Sequence, residues 1–204
     1  MKCFGEFRAR LLNRRAFFLV EGGRFQEAVV LLKKAIYLSP NNPHNYNELC
    51  ICFGRLSRLD LAESMARKAI DLDSYNPKFR NGLIGILLDS AILLKSRAEI
   101  VEKLIEVNYQ IDLLLKKDPA YTPAHLAKAQ TSALCGASQK LWEAELENAV
   151  VGYRSVGQTA SGSVADEPRI QWIISSNRER CLFLGTIWEK LPENNPQVKK
   201  GAVK

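Results

Sequence analysis

One stretch of this chain comes back 34 residues later. Gly23-Arg24-Phe25-Gln26-Glu27-Ala28-Val29, continued by Lys34-Ala35-Ile36-Tyr37-Leu38-Ser39-Pro40-Asn41-Asn42, returns in register as Leu59 to Asn76. Ala62 takes the place of Ala28, Ala69-Ile70-Asp71-Leu72-Asp73 that of Ala35-Ile36-Tyr37-Leu38-Ser39, and Asn76 that of Asn42. A helical unit of this period cannot bury its apolar face alone, so units must stack on one another. The alanines fix how closely they stack, because paired helices approach to about 8–10 Å only where a small side chain leaves room.

The small and large positions can be followed through both copies. From Ala9, Leu12, Ala16 and Leu19 lie on a first helix, Ala28, Leu32 and Ala35 on a second, and Pro40 turns the chain onward. From Pro43, Tyr46, Leu49, Cys50 and Phe53 are followed by Ala62, Ala66 and Ala69. This pattern resembles the tetratricopeptide repeat. The resemblance implies an all-α, right-handed solenoid of antiparallel helix pairs, with units at 9–42 and 43–76. The chain departs from the family at Arg15, where an apolar residue is usual, and at Ser74, which replaces the second unit's proline. A third unit, 77–121, is enlarged: its second helix closes at Lys116-Lys117-Asp118-Pro119, 11 residues late. Eleven residues are about three turns, so the same faces still point inward. A degenerate fourth unit, 122–156, places helices at about Thr122 to Cys135 and Gln139 to Arg154 around Gly136-Ala137-Ser138.

Residues 157–167 read as a Ser/Gly-rich linker. Asp166 is placed to cap a helix over 168–191, with Pro168 in its first turn and Pro192 at its end. The apolar stripe of that helix, including Ile170, Ile174, Cys181, Leu184 and Leu191, suits a cap over the last repeat, and docking of a partner is the other reading. A basic tail, 192–204, follows.

Other classes of protein find little support. Met1 to Arg8 has no apolar core of the length a secretory signal needs, and the run Leu83 to Leu94 falls short of the roughly 20 residues that span a bilayer. Five cysteines, an odd number, at 3, 50, 52, 135 and 181, suit reduced buried thiols and a cytoplasmic setting. His44 and His125 stand in no metal-binding or catalytic spacing, and no phosphate-binding glycine loop is present. Glu143, Glu145 and Glu147 read as a solvated helix face. No enzyme activity, cofactor or metal is expected.

The functional signal appears on reading down the repeats. Asn13, Asn47 and Asn81 recur at 34-residue spacing, as do Arg10, His44 and Lys78, with Phe17 and Ile51 in a further column. In the family such positions face the concave groove, so the resemblance implies that these columns line it. An asparagine amide donates and accepts, and can hold the backbone of an extended peptide without reading its side chains. A role in helix starts and inter-repeat hydrogen bonds is the competing reading. Where the family's chaperone-tail clamp has its five polar residues, this chain has Asn13, Phe17, Glu48, Lys78 and Gly82, and only Lys78 matches. A chaperone C-terminal tail is therefore not the expected ligand.

Residues 1–40 hold eight lysines and arginines against Glu6, Glu21 and Glu27, a surplus of five out of the chain's +7. Such a field attracts acidic partners. The expectation is a protein-interaction module, an adaptor or assembly factor gripping an extended or acidic segment. The alternative is a permanent subunit of a larger assembly, such as a ribonucleoprotein with its nucleic acid, docked through the basic amino end or the last helix.

Overall fold

Helix starts and stops are written into the chain at the repeat register. The computed structural model describes residues 2–160 and 167–191, with side chains at 5–152 and 172–191. The described helices are α1 (Lys2–Glu21), α2 (Phe25–Leu38), α3 (Pro43–Arg55), α4 (Leu59–Leu72), α5 (Pro77–Ile92), α6 (Arg97–Lys117), α7 (Thr122–Leu134), α8 (Gln139–Ala160) and α9 (Glu167–Glu189). Asn42 Oδ1 accepts the His44 N–H and Asn76 Oδ1 the Lys78 N–H, each at 3.1 Å, so α3 and α5 begin alike, with proline in the first turn. Asp73 accepts the Tyr75 N–H at 3.0 Å, supplying by a side-chain turn what the missing proline at Ser74 would have supplied. Asp118 does the same for Ala120.

The fold is an all-α helical repeat, and its compact units are Met1–Ile86 and Leu87–Lys204, which divide within α5. In the first unit the α1–α2 and α3–α4 hairpins pack internally and against each other through α2 and α3. Ala16, Ala28, Ala35, Cys50, Ala62, Ala66 and Ala69 are all buried, as close helix approach requires. The hairpin turns carry left-handed residues one period apart, Gly23 at φ 72° and Ser57 at φ 57°. In the second unit α7 packs on α8, and α9 lies on both through Ile174, Cys181, Leu184 and Leu191.

Two boundaries differ from those read in the sequence. α1 begins at Lys2 and not near Ala9, running through Gly5, since no proline stands between them. α8 continues through residues 157–160, the first part of the expected linker. Residues 161–166, including the capping Asp166, and the tail from Pro192 onward lie outside the described residues. Among the described residues no helix is long and apolar enough to cross a membrane.

Candidate functional site

The first helices of the first unit bring the columns together. α1 carries Arg10, Asn13 and Phe17, α3 carries His44, Asn47 and Ile51, and α5 carries Lys78 and Asn81. Arg10, Phe17, His44, Ile51 and Lys78 are exposed, and the three asparagines are half-buried. The caps on Asn42 and Asn76 put His44 and Lys78 in the first turns of their helices, with backbone N–H groups already satisfied. Arg10 has no such cap, since it lies inside the long α1. The His44 ring meets Phe79 edge-on at 5.4 Å, which holds its orientation against the core.

The asparagines are not equivalent. Asn13 Nδ2 donates to Asn45 Oδ1 at 2.8 Å, an inter-repeat hydrogen bond of the kind the competing reading anticipates. Asn45 is fully buried, and its own Nδ2 is the buried side-chain nitrogen without a partner among the described residues. Sequence reasoning missed Asn45, because it stands outside the ladder and its partner comes from another repeat. Neither the Asn47 nor the Asn81 side chain has a hydrogen-bond partner among the described residues. A Cβ on Gly82 would sit 3.3 Å from Asn47 Oδ1, so the glycine lets α5 pass close to that amide. The column of Phe17 and Ile51 continues at Gly85, where a Cβ would meet open space. Between Asn47 and Ile51, burial and then the charge of Glu21 push the Glu48 carboxyl above its ordinary range. The face is therefore basic at the start of its helices, with Glu48 set between Asn47 and the apolar Ile51, and Glu21 at the end of α1.

The second unit holds a polar cluster. His125 Nδ1 lies 2.9 Å from Glu145 Oε2 and its Nε2 2.8 Å from the Pro119 carbonyl oxygen, while Lys128 Nζ lies 2.8 Å from Glu145 Oε1. Glu145 is thus turned toward α7 and not part of a solvated face. Alternate residues on a helix point to different sides, so the three glutamates could not all face water. Both ring nitrogens of His125 are engaged by the protein itself. Burial pushes the Cys50 and Cys181 thiols up to about 12 and Cys52 up to about 11, so these groups stay protonated.

Paired helices at a 34-residue period, with small residues at the crossings, define the tetratricopeptide-repeat fold. Among solved structures the chain is similar to TTC0263, a thermophilic tetratricopeptide-repeat protein of Thermus thermophilus, with a TM-score of 0.66 and 16% identity over 95% of this chain and 96% of that one. It also aligns with YrrB, a tetratricopeptide-repeat protein with an unusual peptide-binding site (TM-score 0.49, 14% identity, 94% and 90% covered). PilF of Pseudomonas aeruginosa aligns at a TM-score of 0.41 and 16% identity, with 97% and 98% covered. No family model matches the sequence, and no curated protein matches it.

Proposed function

We propose that this chain is a protein-interaction module, an adaptor or assembly factor of the cytoplasm, that holds an extended segment of a partner protein across α1, α3 and the start of α5. One observation carries this reading: Asn47 and Asn81 recur at one repeat's spacing, half-exposed and without side-chain partners among the described residues, beside exposed Phe17 and Ile51. Their amides bond the partner's backbone, and Phe17 and Ile51 take an apolar side chain. Arg10, His44 and Lys78 favour acidic residues at one end of the segment. Asn13 acts indirectly, by tying α1 to α3 through Asn45.

Affinity capture from cell extract tests the proposal, with wild type and the Asn47→Ala/Asn81→Ala variant compared side by side. Each lost amide bond weakens binding by about 0.5–1.5 kcal/mol, so a genuine groove ligand is depleted roughly 5- to 150-fold while the melting temperature stays within a few degrees. Equal capture by both proteins refutes the groove. A captured nucleic acid whose affinity collapses between about 50 and 200 mM salt favours the ribonucleoprotein alternative.

A further inference from the structure

Along one side of the first hairpin runs a groove that the rest of the first unit does not fill. Its two halves enclose about 490 Å³ and about 510 Å³. Arg15, Phe18 and Leu19 of α1 face Arg24, Glu27, Val30 and Leu31 of the α2 hairpin in one half. Arg8 and Leu12 face Lys33, Lys34, Tyr37 and Leu38 in the other. The antiparallel pairing joins these halves end to end, and the helical rise from Arg8 to Leu19 is about 17 Å, the length of a three-turn helix.

The repeat itself says what kind of object covers such a surface. One period on, Arg15, Phe18 and Leu19 become Leu49, Cys52 and Phe53, which are exposed by only 2%, 0% and 5%. Phe18, by contrast, is 62% exposed and Arg15 is exposed too. The second hairpin packs on the first through α2 and α3, which buries this side of α3. The α1 side of the groove is therefore the open counterpart of the α3 surface that packs on α2. The departure at Arg15 from the family's apolar residue falls at this edge.

Charge narrows the occupant. Arg8, Arg15, Lys33 and Lys34 border the groove, and Glu27 is already engaged by Arg24 at 2.6 Å. A second copy of the chain could offer the outward face of α9 with Trp172, Leu182 and Phe183, but with Arg178 and Arg180 engaged by Glu143 and Asp89 that face carries just Glu179 and Glu189, among the described residues, against the four basic residues of the groove, a poorer match than an acid-flanked helix. We infer that the α1–α2 edge is a second docking site, for an amphipathic helix of a partner protein that carries acidic residues beside an apolar stripe. It is independent of the asparagine face, on which the proposed function rests.

The probe is a fluorescent designed helix of about four turns with leucine on one face and glutamate on its flanks, titrated into the full chain beside the same helix with lysine flanks. The acidic helix binds at least about ten-fold tighter than the basic one, and Arg15→Glu/Lys34→Glu removes or reverses that preference. Phe18→Asp weakens binding by about ten-fold or more, whereas Asn47→Ala/Asn81→Ala leaves it unchanged. Circular dichroism confirms that each variant keeps its helices. Failure of the acidic helix to bind, equal binding of the two helices, or indifference to Arg15→Glu/Lys34→Glu overturns the inference. Self-association of the chain that Phe18→Asp abolishes assigns the edge to a second copy and overturns it equally.

Discussion

Ser57 holds the position that Gly23 holds one repeat earlier, at a positive φ that a β-carbon disfavours. Both residues turn the chain between the helices of a hairpin, so the demand comes from the turn and only Gly23 meets it without strain. Ser57→Gly therefore stabilises the protein by about 0.5–1 kcal/mol, the relief of strain being partly offset by a looser unfolded chain, as read in denaturant melts. Glu145 gives a second residue-scale prediction. Burial pushes its carboxyl up, but hydrogen bonds from Lys128 and His125 outweigh burial and hold it below the ordinary range. A depressed carboxyl stabilises the fold above its unfolded-state value, and that contribution is lost as the pH falls through the folded value. The wild type thus loses stability on acidification through and below the ordinary carboxylate range, and Glu145→Gln flattens that part of the profile, measured as melting temperature against pH. An unchanged profile would mean that the cluster with His125 contributes nothing to folding.

At the scale of elements, the turn between α7 and α8 explains how α9 is held. Gly136 has φ 72°, and a β-carbon there would strike the indole of Trp188, whose ring also lies 4.1 Å beneath the Arg97 guanidinium. Gly136→Ala meets both obstacles and costs about 2–3 kcal/mol, mostly as early loss of α9 protection in hydrogen exchange. Arg97→Ala removes the cation above the ring, a contact worth about 0.5–1 kcal/mol, and leaves the turn at Gly136 intact. If the two variants behave alike, Trp188 is not the anchor of α9. Much of this architecture is legible in the chain, because alanines at a fixed period and Asn-Pro starts are local signals. The early start of α1 and the late end of α8 are not legible, since each runs through a glycine, Gly5 and Gly157, that by itself favours a break. The Asn13–Asn45 bond is hidden for the opposite reason: it joins positions from different repeats that no column aligns. The open edge had left a trace in Arg15, visible as a departure whose meaning depends on what lies against it.

At the scale of the whole molecule, a helical-repeat chain rests each repeat chiefly on its neighbours in sequence, so its stability is close to a sum of local terms. Ala62 tests this directly. It is fully buried on α4 at the place Ala28 takes on α2, and leucine there must part the α3–α4 hairpin, at about 1–3 kcal/mol of overpacking. In a globular core sharing one set of contacts, such a loss would appear everywhere at once. In a linear array it stays near the lesion: exchange of backbone amides in α3 and α4 accelerates roughly 5- to 150-fold, with smaller increases in α2 and α5, while α7, α8 and α9 keep wild-type rates. Hydrogen exchange read by mass spectrometry separates these outcomes peptide by peptide. A uniform rise along the chain would show that the two units fold as a single cooperative body. No change at all would refute the placement of Ala62 at a helix crossing, and with it the 34-residue register on which the column of Asn13, Asn47 and Asn81 and that of Arg10, His44 and Lys78 depend.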